Sequence, residues 1–210
     1  MLDVPFICQR EAGTGVGLGQ ELPFGVTWGD RACAIASATM VLNYFGRRVS
    51  LNDVLVAALA ERGFDSVRGW RHAAIVSVLQ SFGLAAYRRN WRLLQGREQA
   101  YLDGRTLTSA RRAELEAVAA QMVEEGVGTI ERLLGAGVPV ILSIYRPWGD
   151  RTSVGHQVVL LSLDARSAVL HDPAHLDGAA VTYERDALIT NWKGTAIVGH
   201  LPQGVSPSTG

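Results

Sequence analysis

The stretch Trp28-Gly29-Asp30-Arg31-Ala32-Cys33-Ala34-Ile35-Ala36-Ser37-Ala38-Thr39-Met40-Val41-Leu42-Asn43-Tyr44-Phe45-Gly46 reads as one helix marked at both ends. Asp30 suits the N-cap, where a carboxylate accepts orphan N–H groups of the first turn. Gly46 supplies the left-handed position that ends a helix. Between them Ile35, Ala38, Met40, Val41, Leu42 and Phe45 form an apolar face broad enough for burial. Cys33 falls in the first turn, where the positive end of the helix dipole favours a thiolate. Two readings of that thiol stand side by side. It is either a nucleophile at the mouth of a buried helix or a small, inert core residue.

The composition narrows the class. The chain has 210 residues, a single domain's worth, with 20 Lys and Arg against 20 Asp and Glu and a formal net charge of zero. Nucleic acid and anionic membrane both call for a basic surface, so neither is the expected partner. No apolar run reaches membrane-spanning length, and the first residues lack the basic start and apolar core of a signal peptide, so a cytoplasmic location is expected. Two cysteines, Cys8 and Cys33, do not make a disulfide scaffold; a single bridge between them would be unusual in a reducing compartment.

Upstream, Val4-Pro5-Phe6-Ile7-Cys8-Gln9 reads as a short edge strand, followed by a glycine-rich surface insertion from Gly13 to about Thr27. The insertion is no dinucleotide fingerprint, because its spacing is wrong and no helix pattern follows. Downstream, Ser50 caps a helix over 51–61 closed by Gly63, and another runs from about Trp70 to Ser81 with His72 on its surface. A short strand covers 84–87. Residues 88–112 read as a loop or hairpin insertion whose Arg88, Arg89, Arg92 and Arg97 form a solvated basic face. A helix over 110–125 closed by Gly126 precedes a short helix, capped by Thr129, that runs to Leu134.

The second half is strand-rich. Segments 139–145, 156–163, 168–172, 180–183 and 195–200 read as strands, with a turn at 147–151, a short helix at 184–189 and a disordered tail from Pro202. Helices first and a meandering antiparallel sheet after is an α+β pattern. The expected domain covers 1–201.

A cysteine nucleophile needs a base, the base needs an orienting group, and the oxyanion needs donors. His156 opens one strand and Asp172 closes the strand expected to pair with it, which brings the two side chains within reach. Gln9 can offer its side-chain N–H₂, and the Cys33 backbone N–H is free in the first helical turn. His171 and His175 have the i, i+4 spacing of a helical zinc site, but Pro173 breaks any helix there and no third ligand is evident. No metal and no cofactor is expected.

Taken in order, Val4-Pro5-Phe6-Ile7-Cys8-Gln9, Cys33 opening an apolar helix, Gly137-Val138-Pro139-Val140-Ile141, Gly155-His156-Gln157-Val158-Val159-Leu160-Leu161-Ser162-Leu163-Asp164, Val169-Leu170-His171-Asp172-Pro173-Ala174 and Trp192-Lys193-Gly194-Thr195-Ala196 resemble the papain-like peptidases of the bacteriocin-processing group. These are the double-glycine-leader peptidases, family thirty-nine of the cysteine class, and their stand-alone relatives. The resemblance implies a papain-like fold, with a helical N-terminal half packed on a C-terminal antiparallel sheet. It implies Cys33 as nucleophile, His156 as base and then acid, Asp172 as orienter and Gln9 as oxyanion donor. The chain departs from the family at Cys33-Ala34, where Cys-Gly is usual, and in the 24 positions between Gln9 and Cys33. Gln20 is the alternative donor. A methyl at position 34 would narrow the cleft.

The implied activity is hydrolysis of a peptide bond, by analogy a leader peptide bond, through an acyl-enzyme. An acyl or peptidyl transferase or cyclase using the same site, and a non-catalytic peptide-binding relative, are the alternatives. The partner expected is a peptide or protein.

Overall fold

The computed structural model describes residues 1–15, 22, 25–91, 104–146 and 155–202. Among the described residues the α-helices are α1 (Trp28–Arg31), α2 (Cys33–Tyr44), α3 (Leu51–Ala60), α4 (His72–Ser81), α5 (Ser109–Gly135) and α6 (Arg185–Asn191). A two-stranded ribbon joins β1 (Phe64–Asp65) to β2 (Gly69–Trp70). The main sheet has six antiparallel strands in the order β3-β8-β4-β5-β6-β7. These are β3 (Ala85–Asn90), β4 (Val140–Tyr145), β5 (Gly155–Leu163), β6 (Ser167–His171), β7 (Val181–Glu184) and β8 (Trp192–His200). The helical first half packs on this sheet, so the α+β, papain-like expectation holds.

The sheet separates two apolar clusters, which is why its central strands are apolar almost throughout. Ile141, Val159, Leu161 and Ile197 join α2, α3 and α4 on one face. Their alternates, among them Val140, Leu142, Val158, Leu160 and Val198, pack on the other face with α5 and α6. Every residue of β4 is buried, as befits a strand covered on both faces.

Several local expectations change. The opening segment is not a strand. Single hydrogen bonds hold it, from Leu2 N to Leu161 O at 3.1 Å and from His171 Nε2 to Val4 O at 2.8 Å, and Gln9 begins a 3₁₀ turn, Gln9–Glu11. Pro5 has no N–H to give a ladder. The helix around Cys33 is two helices broken at Ala32, and Asp30 caps neither as N-cap. Asp30 is the third residue of α1, and its Oδ2 accepts from Thr27 N and Oγ1 at 2.8 Å each, the reciprocal half of a capping box. Ala32 is the N-cap of α2. Gly46 does end α2 in a left-handed conformation, with φ of 76°.

Helix α3 starts from the expected Ser50 cap, but its left-handed exit is Arg62 rather than Gly63. The helix expected to begin at Trp70 begins at His72, because Trp70 belongs to the ribbon. Arg88 to Asn90 extend β3 instead of opening an insertion; residues 92–103 lie outside the described residues. The two helices expected over 110–134 are one, running through Gly126. That glycine ends nothing because packing demands it: a Cβ there would stand 2.7 Å from Trp192 and 2.8 Å from Trp91. Thr129 is no cap either, since its hydroxyl donates back to Glu125 O within the same helix at 2.9 Å. The glycine-rich stretch (16–21, 23–24), the turn at 147–151 and the tail from 203 fall outside the described residues.

Candidate active site

Cys33 is the first residue of α2, partly accessible, with a free thiol; Cys8 is likewise unpaired. Ser37, one turn on, donates its hydroxyl to Gln157 O at 3.3 Å. That bond ties the helix carrying Cys33 to the strand residue next to His156. His156 is 6 % exposed and Asp172 4 % exposed. His156 Nε2 donates to Asp172 Oδ1 at 2.7 Å. The two come together because β5 and β6 pair, with Val159 opposite His171, and Asp172 follows directly on the end of β6. Since Asp172 takes Nε2, the other ring nitrogen is left for Cys33, whose side chain hydrogen-bonds the imidazole.

The electrostatics follow from this contact. Burial pushes the Cys33 thiol up, but the hydrogen bond and charge of His156, with backbone groups of Gln157 and Ala34, outweigh it and leave the thiol lowered. Burial would likewise neutralise His156. Hydrogen bonds to Asp172 and Cys33 and their charges prevail instead, and the imidazole is raised to about 9. Asp172, despite burial, is held at about 2 by the hydrogen bond and charge of His156, with help from the Ala174 N–H and Arg146. A thiolate, an imidazolium and a carboxylate in series is the arrangement these shifts favour.

Gln9 is 6 % exposed. Its Nε2 donates to Gly29 O at 2.7 Å, its backbone N–H donates to Pro173 O at 2.8 Å, and its Oε1 is buried without a partner among the described residues. One Nε2–H remains for the cleft, which Gln9 and Cys33 both line. Gly29 matters here: a Cβ on it would meet the Arg10 carbonyl oxygen at 2.6 Å, so only glycine lets the Gln9 turn close on α1. Gln20 lies outside the described residues. Ala34 is 1 % exposed and packs into the core at the cleft wall.

The cleft encloses about 840 Å³. One wall is the β1–β2 ribbon, fixed by Trp70, whose Nε1 donates to Arg31 O at 2.7 Å, and by ring contacts among Trp28, Phe64 and Trp70. Four lining residues were not singled out from sequence for this site. Arg146, at the end of β4, stands 3.7 Å from Asp172 Oδ1 and donates to His175 Nε2 at 2.7 Å. His72 lines the cleft instead of the surface expected for it, and Arg88 and Lys193 line it as well. Lys193 lies before the strand expected over 195–200, which in the structure begins already at Trp192. Nothing in the local pattern marks Arg146 or His72. Among the described residues no cluster of metal-binding side chains occurs, and no helix is long and apolar enough to cross a membrane.

Known structures share this architecture. A C39-like peptidase from Bacillus anthracis superposes with a TM-score of 0.58 at 18 % identity, over 95 % of this chain and 96 % of that one. A double glycine motif protease from an AMS/PCAT transporter, in complex with its leader peptide, superposes with a TM-score of 0.54 at 16 % identity, over 96 % of this chain and 94 % of that one. At such identities the likeness is one of fold. Comparison with curated proteins gave no match. The sequence profile described as the Peptidase_C39 like family matches residues 1–199, and with nearly its whole length covered the chain belongs to that family of cysteine peptidases.

Proposed function

We propose that the protein hydrolyses peptide bonds through Cys33, His156 and Asp172, with Gln9 and the Cys33 backbone N–H as oxyanion donors. The observation that carries this reading is the buried His156, hydrogen-bonded to Asp172 at 2.7 Å on one side and to the Cys33 thiol on the other. The thiolate attacks the scissile carbonyl carbon, and the S–C bond forms as the carbonyl π pair moves to oxygen. The oxyanion rests on the Gln9 Nε2–H and the Cys33 N–H. Collapse breaks the C–N bond, and His156 gives its proton to the leaving amine. Water then attacks the thioester and passes a proton to His156. The S–C bond breaks, which frees the carboxylic acid and restores the thiolate–imidazolium pair.

Throughout, Asp172 keeps the ring oriented and stabilises its positive form; it does not itself take the proton. The substrate class that the family and the shape of the cleft support is a peptide segment. A leader peptide is the nearest analogy, from the AMS/PCAT relative solved with one. The test is digestion of a random octapeptide pool read by mass spectrometry. Cleavage is expected with the native chain and none with Cys33→Ala. Cleavage that survives in Cys33→Ala would overturn the assignment.

A further inference from the structure

The cleft is unbalanced in charge, although the whole chain is neutral. Among the described residues, away from Asp172 and its partners, only Asp30 and Asp65 bring carboxylates to its lining. Both are committed locally. Asp30 belongs to the α1 capping box, and Asp65 Oδ1 accepts from the Val67 and Arg68 N–H groups at 2.9 Å each. Two cations on the sheet side are not committed. Among the described residues neither Arg88 nor Lys193 has a carboxylate partner, whereas the next residue, Arg89, pairs with Glu125 at 2.6 Å on the opposite face of the sheet. Arg88 and Arg89 of the basic cluster expected over 88–97 are therefore divided by strand alternation, with Arg88 turned toward the cleft, while Arg92 and Arg97 lie outside the described residues.

Lys193 is half-buried, and its ammonium sits 4.8 Å from the centre of the Tyr145 ring. It also lies 3.2 Å from where a Cβ of Gly155 would stand, with Ser143 Oγ at 3.5 Å from the same point. The glycine before His156 thus gives the ammonium room beside the catalytic strand. Facing it, His72 is kept neutral, at about 4, by burial and by the charges of Arg88 and Lys193. The N-terminus of α4, at His72 and Ala73, opens on the same space. A half-buried ammonium without a counter-charge is costly, and a carboxylate arriving with the substrate relieves that cost. Charge-assisted hydrogen bonds then fix its position.

We propose that Lys193 on β8 and Arg88 on the adjoining β3 form a subsite of the cleft that receives the acidic side chain of an Asp or Glu in the peptide substrate. The proposal deepens the peptidase reading and rests on it for the carboxylate's being part of a peptide to be cleaved. The experiment uses octapeptide pools with amidated C-termini, identical except for Glu, Gln or Lys fixed at one position in turn. At one position relative to the cleaved bond, kcat/KM for Glu should exceed that for Gln by about tenfold to a hundredfold, the range of a charge-assisted hydrogen bond, with Lys poorest. In the double variant Lys193→Gln, Arg88→Gln the Glu to Gln ratio should fall below about threefold. Lys193→Arg should keep the preference.

Equal cleavage of Glu and Gln pools, or a preference that survives in the double variant, overturns the subsite. So does a preference that appears only when the C-terminus is left as a free acid, since the terminal carboxylate is then the ligand. A second measurement separates this failure from failure of the peptidase reading. In Cys33→Ala protein, fluorescence anisotropy of dansylated (Glu-Gly)₄ against dansylated (Gln-Gly)₄ reads the subsite without chemistry. About tenfold tighter binding of the Glu probe, lost in the double variant, supports it; equal binding refutes it whether or not any peptide is hydrolysed.

Discussion

Removing His156 should slow Cys33 as a nucleophile and move its pH profile by changing how much of it is thiolate. At the ordinary thiol value of 9.0, about 1 % of a thiol is ionised at pH 7. Burial pushes the thiol up, and His156 makes the largest of the contributions that bring Cys33 below that value, with the backbone of Gln157 and Ala34 adding to it. In His156→Ala the thiolate fraction at pH 7 therefore drops toward the roughly 1 % of an ordinary thiol. The freed thiolate is more basic and intrinsically more reactive, which restores part of the rate through a Brønsted coefficient of about 0.4–0.5. The two effects largely offset each other, so the net fall at pH 7 should be only a few-fold, and the shape of the pH profile is the sharper signature. The assay is the alkylation rate with iodoacetamide from pH 5 to 10, measured by mass spectrometry on the Cys33 peptide so that Cys8 does not contribute. The native rate should level off at a lower pH than the variant rate, which should climb about tenfold per pH unit through neutrality. Equal rates for the two proteins at pH 6–7 would refute the thiolate–imidazolium argument, and with it the activated site.

Other consequences follow from the same geometry. Activity should fall on the alkaline side as His156 loses its proton near about 9, and a kcat/KM profile still rising at pH 10 would contradict this. His156 is raised in the folded chain from 6.5 to about 9, so its contribution to stability is complete below the lower value and lost as pH climbs through the upper one; the Tm gap between native protein and His156→Ala should shrink from pH 6 to pH 10. Gln9→Ala should lower kcat by about 10²–10³-fold if its amide holds the oxyanion, and an unchanged kcat removes it from the site. Gly126→Ala drives a Cβ to within 2.7 Å of Trp192, which should cost about 1–3 kcal/mol and so lower Tm by about 2–12 °C; thermal unfolding of the variant at native Tm would show that the indoles give way freely.

The chain's sequence determined a good deal without help. The order of helices and strands, the apolar face after Cys33, the Ser50 cap and the Gly46 exit are local patterns, and local patterns survive folding when the core they serve is continuous. So does the pairing of the strands that carry His156 and Asp172, which a tight turn joins, although the register shift between Leu160 and Ser162 belongs to the folded sheet. Position along the chain failed wherever a distant contact decided the matter. Gly126 looks like a stop from its neighbours and is a packing site because two tryptophans from far-off segments press on it. Asp30 looks like the cap of the Cys33 helix and instead closes a separate turn, while Gly29 beside it makes room for the backbone that carries Gln9. The turning of Arg88 and Lys193 into one cleft, with Arg89 sent to the other face, came from the union of strands β3 and β8 across more than a hundred residues. Periodicity tells which side chains share a face; only the assembled sheet tells which face borders the thiol.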